Sequence, residues 1–264
     1  MPCPSATLVV WTSAWLHGAA AADDALDALN PWAEAHEVVA DDATAGQLDL
    51  PVAGDRPVSP ALLLAALRRA GAGVGHLVLP VAGDVRGLGG VHELTAAALR
   101  AGEAAVLPDA GVAVVPEAVA DGVLRWTVFA LPPFPPPPEH VPLGEAEHRM
   151  AEAMRTAAAT LAALDVGRDR PGVRGEIEAA LRNQPRMRWP EGAPARAVRV
   201  LSRAGELEAI VAAALGDGDG AAVSASAMRG RREALRPLAD AVRLARRAAV
   251  DEAVRAFAHS AGRR

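Results

Sequence analysis

The sequence predicts an α/β N-terminal half, built on a mixed and partly parallel sheet, followed by an all-α helical-bundle C-terminal half. Three observations carry that expectation. Over residues 1–131 short apolar runs alternate with helix-patterned segments, the order that builds partly parallel sheets. From residue 143 onward apolar side chains recur every three to four positions, which is the period of a helix face. Between them Pro132, Pro133, Pro135, Pro136, Pro137, Pro138 and Pro142 crowd into one short stretch. Successive prolines fix φ and remove backbone donors, so residues 132–142 read as a stiff, extended linker. The division is therefore an α/β domain over 1–131, a linker over 132–142 and a helical domain over 143–264.

Within the first half, Thr7 to Trp11 runs apolar without alternation and reads as a buried strand. A helix is expected from Asp23–Asp24 to about His36, with acids where the dipole favours them. Ser59 and Pro60 open a second helix through Arg69, stopped at Gly71. His76 to Val81 reads as a strand, and His92 to Arg100 as a helix ended near Gly102. Strands follow at Ala104–Leu107, Val112–Val115 and Val123–Leu131, the first two joined by the turn Pro108-Asp109-Ala110-Gly111. Pro51-Val52-Ala53-Gly54-Asp55 recurs as Pro80-Val81-Ala82-Gly83-Asp84, which suggests two similar turns. In the second half, Leu143 through Leu164 form one helical stripe, followed by a short helix around Glu176–Leu181 and another over Ala195–Leu215. The last helix spans about Ser224 to His259, with Pro237 expected to kink or divide it.

Composition bounds the function. With 51% hydrophobic residues among 264, a core is affordable and general disorder is excluded. All 27 basic residues are Arg, and Ala dominates the apolar set, a bias that reads as GC-rich coding. The single cysteine, Cys3, cannot close an internal disulfide, which fits a reducing cytoplasm. It lies near a terminus expected to fray. No basic n-region precedes the first apolar run, and Thr12, Ser13 and His17 interrupt it, so a secretion signal is set aside. No stretch approaches the roughly 20 apolar residues of a membrane span. Residues 1–142 carry 6 Arg and 16 acids, whereas residues 143–264 carry 21 Arg and 16 acids. That asymmetry favours attraction between the halves or head-to-tail self-association.

The strongest candidate site is Val81 to Glu93, with Asp84, Arg86, Gly87, Gly89, Gly90 and His92. If it leaves a parallel strand and enters a helix, it sits where α/β folds place ligands. Glycines admit a ligand to the backbone, a helix N-terminus favours an anion, and Arg86 offers a charged fork. The spacing matches neither a Walker A loop nor a dinucleotide fingerprint. The alternative is a plain turn with Asp84 and Arg86 paired. Trp15, His17 and Gly18, taken to follow the first strand, are expected on the same edge, where His17 and Asp84 would be minimal equipment for a general base. No catalytic set is complete.

Other motifs are weaker. Glu145 and His148 have the spacing of a helical metal motif but lack a second copy, and Glu145 pairs better with Arg149 at i+4. Asp217-Gly218-Asp219-Gly220 is too short for a calcium loop. Phe134 to Pro138 has the form of a proline-rich recognition ligand, and a stiff spacer is the simpler reading. No metal and no cofactor is called for. On the last helix Arg232, Arg236, Arg243, Arg246 and Arg247 form a cationic stripe with Arg229, beside the apolar one. It could meet phosphates, the acidic half or water. Absent aromatic interleaving and a negative overall charge weigh against nucleic acid.

The segments Val10–Gly18, Leu79–Leu88 and Val141–Asp165 together resemble uncharacterised proteins of high-GC bacteria, a resemblance that covers most of the chain and implies no activity. The reading is thus a cytoplasmic, non-enzymatic binding, assembly or regulatory protein acting through its helical half, with itself or another protein as partner. The alternatives are an enzyme or sensor for an anionic small molecule in the Gly83–His92 crevice, and nucleic-acid binding through the arginine stripe.

Overall fold

The computed structural model describes residues 3–132, 140–163, 187–215 and 225–262, with Gly175, Glu178, Ala179 and Arg182 between them. Residues 133–139 of the proline run, nearly all of the helix expected at Glu176–Leu181 and the Asp217–Gly220 segment lie outside the described residues. The N-terminal half is a mixed α/β arrangement and the C-terminal region is helical. Elements in order are α1 (Pro4–Leu16), α2 (Ala22–Asp27), a 3₁₀ turn (Asn30–Trp32), β1 (Ala35–Ala40), α3 (Asp42–Leu48), α4 (Pro60–Arg69), β2 (His76–Val78), α5 (His92–Ala101) and β3 (Ala104–Leu107). A second 3₁₀ turn (Pro108–Ala110) leads to β4 (Val112–Ala120) and β5 (Val123–Ala130), then α6 (Leu143–Ala163), α7 (Ala195–Leu215) and α8 (Ala225–Ala261).

The five strands lie in the order β1-β5-β4-β3-β2. Only β1 and β5 are parallel; the other three pairs are antiparallel. Side chains alternate between sheet faces. Val78, Ala104, Val106, Ala113, Val115 and Phe129 share the face that packs on Leu94 and Ala98 of α5. Helix α1 packs against β2, β3 and β4, with none of its residues in the α5 cluster.

Residues Thr7–Trp11 are helical, which corrects the expected first strand. Every side chain from Pro4 to Ala14 is buried, so α1 has no polar face and shows no period. A short apolar run of that kind looks the same in a buried strand and in a buried helix. Pro4, at a position tolerated in a first helical turn, is the local start signal. Cys3 does not fray either: it is buried, and its carbonyl accepts from Ala6 N–H.

The helix expected from Asp23 to His36 is cut short at Asp27. Asn30-Pro31 turns the chain, and Glu37, Val38 and Val39 pair with Arg125, Trp126 and Thr127 of β5. Helix α3, absent from the sequence expectation, is capped by Asp41, whose Oδ1 accepts Thr44 N–H at 2.8 Å. Strand β4 runs on past Pro116 to Ala120. The β3 register stops at Val114, so a proline beyond it takes no donor from that ladder. The β4–β5 turn is Asp121-Gly122, with Gly122 at φ 69°, a favoured hairpin pair. The two Pro-Val-Ala-Gly-Asp copies sit apart, the first bridged to the end of β1 and the second beyond β2 at the other sheet edge.

The chain forms two compact units that are not simple halves. One comprises residues 140–184 and 196–249; the other comprises 3–139, 185–195 and 250–264. Within the first, Arg196 of α7 pairs with Glu147 of α6 at 2.8 Å, and Arg246 of α8 pairs with Glu208 of α7 at 2.5 Å. Within the second, Trp11 Nε1–H donates to the Arg188 carbonyl at 3.0 Å, and His76 Nδ1 lies 3.3 Å from Asp251 Oδ1. Pro237 sits inside α8, and the helix continues through it.

Candidate functional site

The loop from Leu79 to Val91 leaves β2, which is antiparallel to β3. The expectation that it leaves a parallel strand is corrected, and with it the argument that placed a ligand crevice there. Val81 and Asp84 exchange backbone hydrogen bonds at 3.0 and 2.9 Å, closing a tight turn. Arg86 Nε donates to Asp84 Oδ1 at 2.8 Å and its Nη2 to Oδ2 at 3.1 Å. The guanidinium fork is thus already engaged by a carboxylate two residues away, and an anion would have to displace it.

The glycines of this loop serve packing. Gly87 and Gly89 take φ of 94° and 69°, a region that favours glycine. A Cβ on Gly87 would lie 2.9 Å from Val78 Cγ2, and one on Gly89 2.4 Å from Pro132 Cγ. Leu88 between them is fully buried in the α5 cluster. Gly90 takes a positive φ as well, and His92 opens α5 with its side chain exposed.

Trp15 lies in the last turn of α1, and His17 and Gly18 follow that helix rather than a strand, so the reason for bringing them to that loop disappears. Trp15 packs with Ala25 and Leu64 beside α2 and α4, and Arg68 stacks its guanidinium 5.1 Å from the ring centre. His17 Nδ1 lies 2.8 Å from the Ser13 carbonyl, and its backbone N–H and that of Gly18 close the end of α1. Of the nominated residues, Asp84 and Arg86 are brought together; Trp15 belongs to a different packing cluster, and His17 is held at the end of α1.

The arginine stripe is not uniformly displayed. Arg246 is 7% exposed and bound to Glu208, while Arg243 reaches Asp240 of its own helix at 3.0 Å. Arg232 and Arg236 are exposed, and Arg247 is half-buried. One partner of Arg246 is thus Glu208 of α7. On α6, Glu145 is taken by Arg149. Among the described residues no group of three or more His, Cys, Asp or Glu is placed to hold a metal, and no helix is long and apolar enough to cross a membrane.

The sequence reading missed two places. His36, Trp126 and the Leu29 carbonyl form one hydrogen-bonded line. A cavity of about 350 Å³ opens between α3, α4 and the β3–β4 turn, lined in part by Gln47, Arg69 and Asp109. The usable signal for the cavity was Asp109 itself, an acid in a turn that carries only structural residues otherwise.

A mixed five-stranded α/β protein with a helical C-terminal region is the class these features define. The chain belongs to the Rv1486c-like protein family: residues 5–141 match the N-terminal domain of that family and residues 144–247 its C-terminal domain. It is 38% identical to the uncharacterised proteins MT1533 and Rv1486c of two Mycobacterium tuberculosis strains, over 99% of both chains in each case. It is 35% identical to the uncharacterised protein ML1804 of Mycobacterium leprae, again over 99% of both. No solved structure matches it.

Proposed function

We propose that this protein is a non-enzymatic binding and assembly protein that acts through its helical region, with a second copy of the chain as partner. The observation that carries the reading is the end of α7, where Ile210 and Leu215 keep 36% and 40% of their surface exposed. Ala212 is exposed too. Ile210 and Leu215 are both large apolar side chains left in water near a helix end, where a partner could cover them. The charge split between the halves supports head-to-tail contact. The filled loop at Val81–His92 also favours assembly over a ligand in that crevice, because its arginine and its glycines are already used.

Sedimentation equilibrium of the full chain tests this. A mass above the 27.1 kDa of one chain is expected, falling toward that value when Ile210→Glu and Leu215→Glu are combined. A wild-type protein that stays monomeric to about 1 mM, the weak limit of specific association, would overturn the proposal.

A further inference from the structure

We infer that the cavity between α3, α4 and the β3–β4 turn binds a small zwitterion of amino-acid or dipeptide size, with Arg69 receiving its anionic group and Asp109 its cationic group. The inference rests on the α/β unit alone and is independent of the assembly reading. At about 350 Å³ the cavity falls within the few hundred Å³ of small-molecule sites. Small side chains at Ala66 and Ala70 leave this space open.

Both charged groups are held by the backbone and not by each other. Arg69 Nη2 donates to the Leu48 carbonyl at 3.0 Å, at the last residue of α3. A guanidinium has five donors in a rigid plane, so most of the fork remains for a carboxylate. Asp109 Oδ2 accepts Val74 N–H at 3.2 Å. Gly73 leaves room for that approach, since a Cβ there would lie 2.7 Å from the same oxygen. Asp109 Oδ1 remains to accept from an ammonium. Gly111, in the left-handed region at φ 67°, closes the turn that presents Asp109.

Neither Arg69 nor Asp109 forms an ion pair among the described residues, although both line one cavity. Arg69 and Asp109 are both exposed at the rim of this half-open cavity, and two opposite charges there match a molecule that carries both signs. A phosphate would set its charge beside the Asp109 carboxylate, and a simple cation would face Arg69. The amide of Gln47 adds a donor and an acceptor for the ligand's middle.

Calorimetric titration of the full chain with L-glutamine and with glycylglycine tests the site, with acetate and methylammonium as half-ligands. At least one zwitterion is expected to bind, with each half-ligand about tenfold weaker or worse. Arg69→Gln and Asp109→Asn should each weaken binding by a similar factor; the asparagine retains an acceptor for Val74 N–H. Ala70→Leu should fill the cavity and abolish binding, while circular dichroism shows the chain still folded. No binding of either zwitterion up to about 10 mM overturns the inference. So does binding that survives Ala70→Leu, or acetate binding as tightly as the zwitterion.

Discussion

Glu103 stands at the first residue before β3, and its carboxylate serves a helix 98 positions away. Helix α1 begins with no side-chain cap from Cys3; Glu103, 6% exposed, accepts Ser5 N–H at 2.7 Å instead. A helix start leaves unsatisfied N–H groups and a positive dipole end, so a buried carboxylate is stabilising there. Glu103→Ala is expected to lower stability by about 1–3 kcal/mol, the cost of orphaning a buried donor. Glu103→Gln, which keeps an acceptor, should lose less. Urea unfolding measures both, and equal losses would show that the acceptor is not what matters. His36 is the second such residue. Trp126 Nε1–H can only donate and the Leu29 carbonyl can only accept, so His36 Nδ1 accepts at 3.1 Å and Nε2–H donates at 3.0 Å. Burial pushes its pKa below 6.5, partly offset by the Leu29 carbonyl. The unfolded chain therefore takes up the proton first. Stability from this residue is complete above pH 6.5 and is lost as pH falls through the lower folded value. The urea midpoint should decline more steeply below pH 6.5 in the wild type than in His36→Gln, and parallel curves would contradict this.

Among the elements, α7 and α8 meet through a polar pair set in an apolar seam. Arg246 lies among buried Val242, Ala245, Ala249 and Val250. Its partner Glu208 has a side chain 24% exposed, so water reaches only one member of the pair. Removing one partner strands the other, whereas replacing both can restore stability. Arg246→Met is expected to cost about 1–3 kcal/mol, below the fully buried case because Glu208 can be partly resolvated. Arg246→Met combined with Glu208→Leu should recover most of that loss. A double-mutant cycle measures the coupling, and simple additivity would mean that the pair is a bystander. The same pairing explains why a cationic stripe drawn on a helical wheel is not a cationic surface: one of its members points inward.

At the scale of the whole molecule, the α/β unit is completed by segments from far along the chain. Residues 185–195 and 250–264 group with 3–139, and the links are specific. Trp11 reaches the Arg188 carbonyl and His76 faces Asp251. A chain ending at Pro142 would therefore lack part of the covering of α1 and β2. Such a chain is expected to unfold at lower urea than the same unit in the full protein and to bind a hydrophobic dye while folded. An unchanged midpoint and no dye binding would show that residues 1–142 form a self-sufficient domain.

Local chemistry was enough for the elements that announce themselves. Ser59-Pro60 and Gly102 bound α4 and α5, the apolar stripes defined α6, α7 and α8, and β3 and β5 followed from apolar runs between turn residues. The mixed α/β class and the helical C-terminal region follow from that order alone, since alternating and stepped patterns demand different partners. Tertiary structure decided the rest, because the deciding interactions are distant. Whether Thr7–Trp11 is strand or helix depends on being surrounded on every side, not on its own period. Which strand is parallel depends on β1 finding β5, and the former was hidden behind Asn30-Pro31. A candidate loop rich in glycine could not reveal that Val78 and Pro132 claim the space beside it. Nor could a turn reveal that its Asp109 shares a cavity with Arg69. Pattern in one dimension reports which side chains seek burial; only the folded chain determines what they meet there.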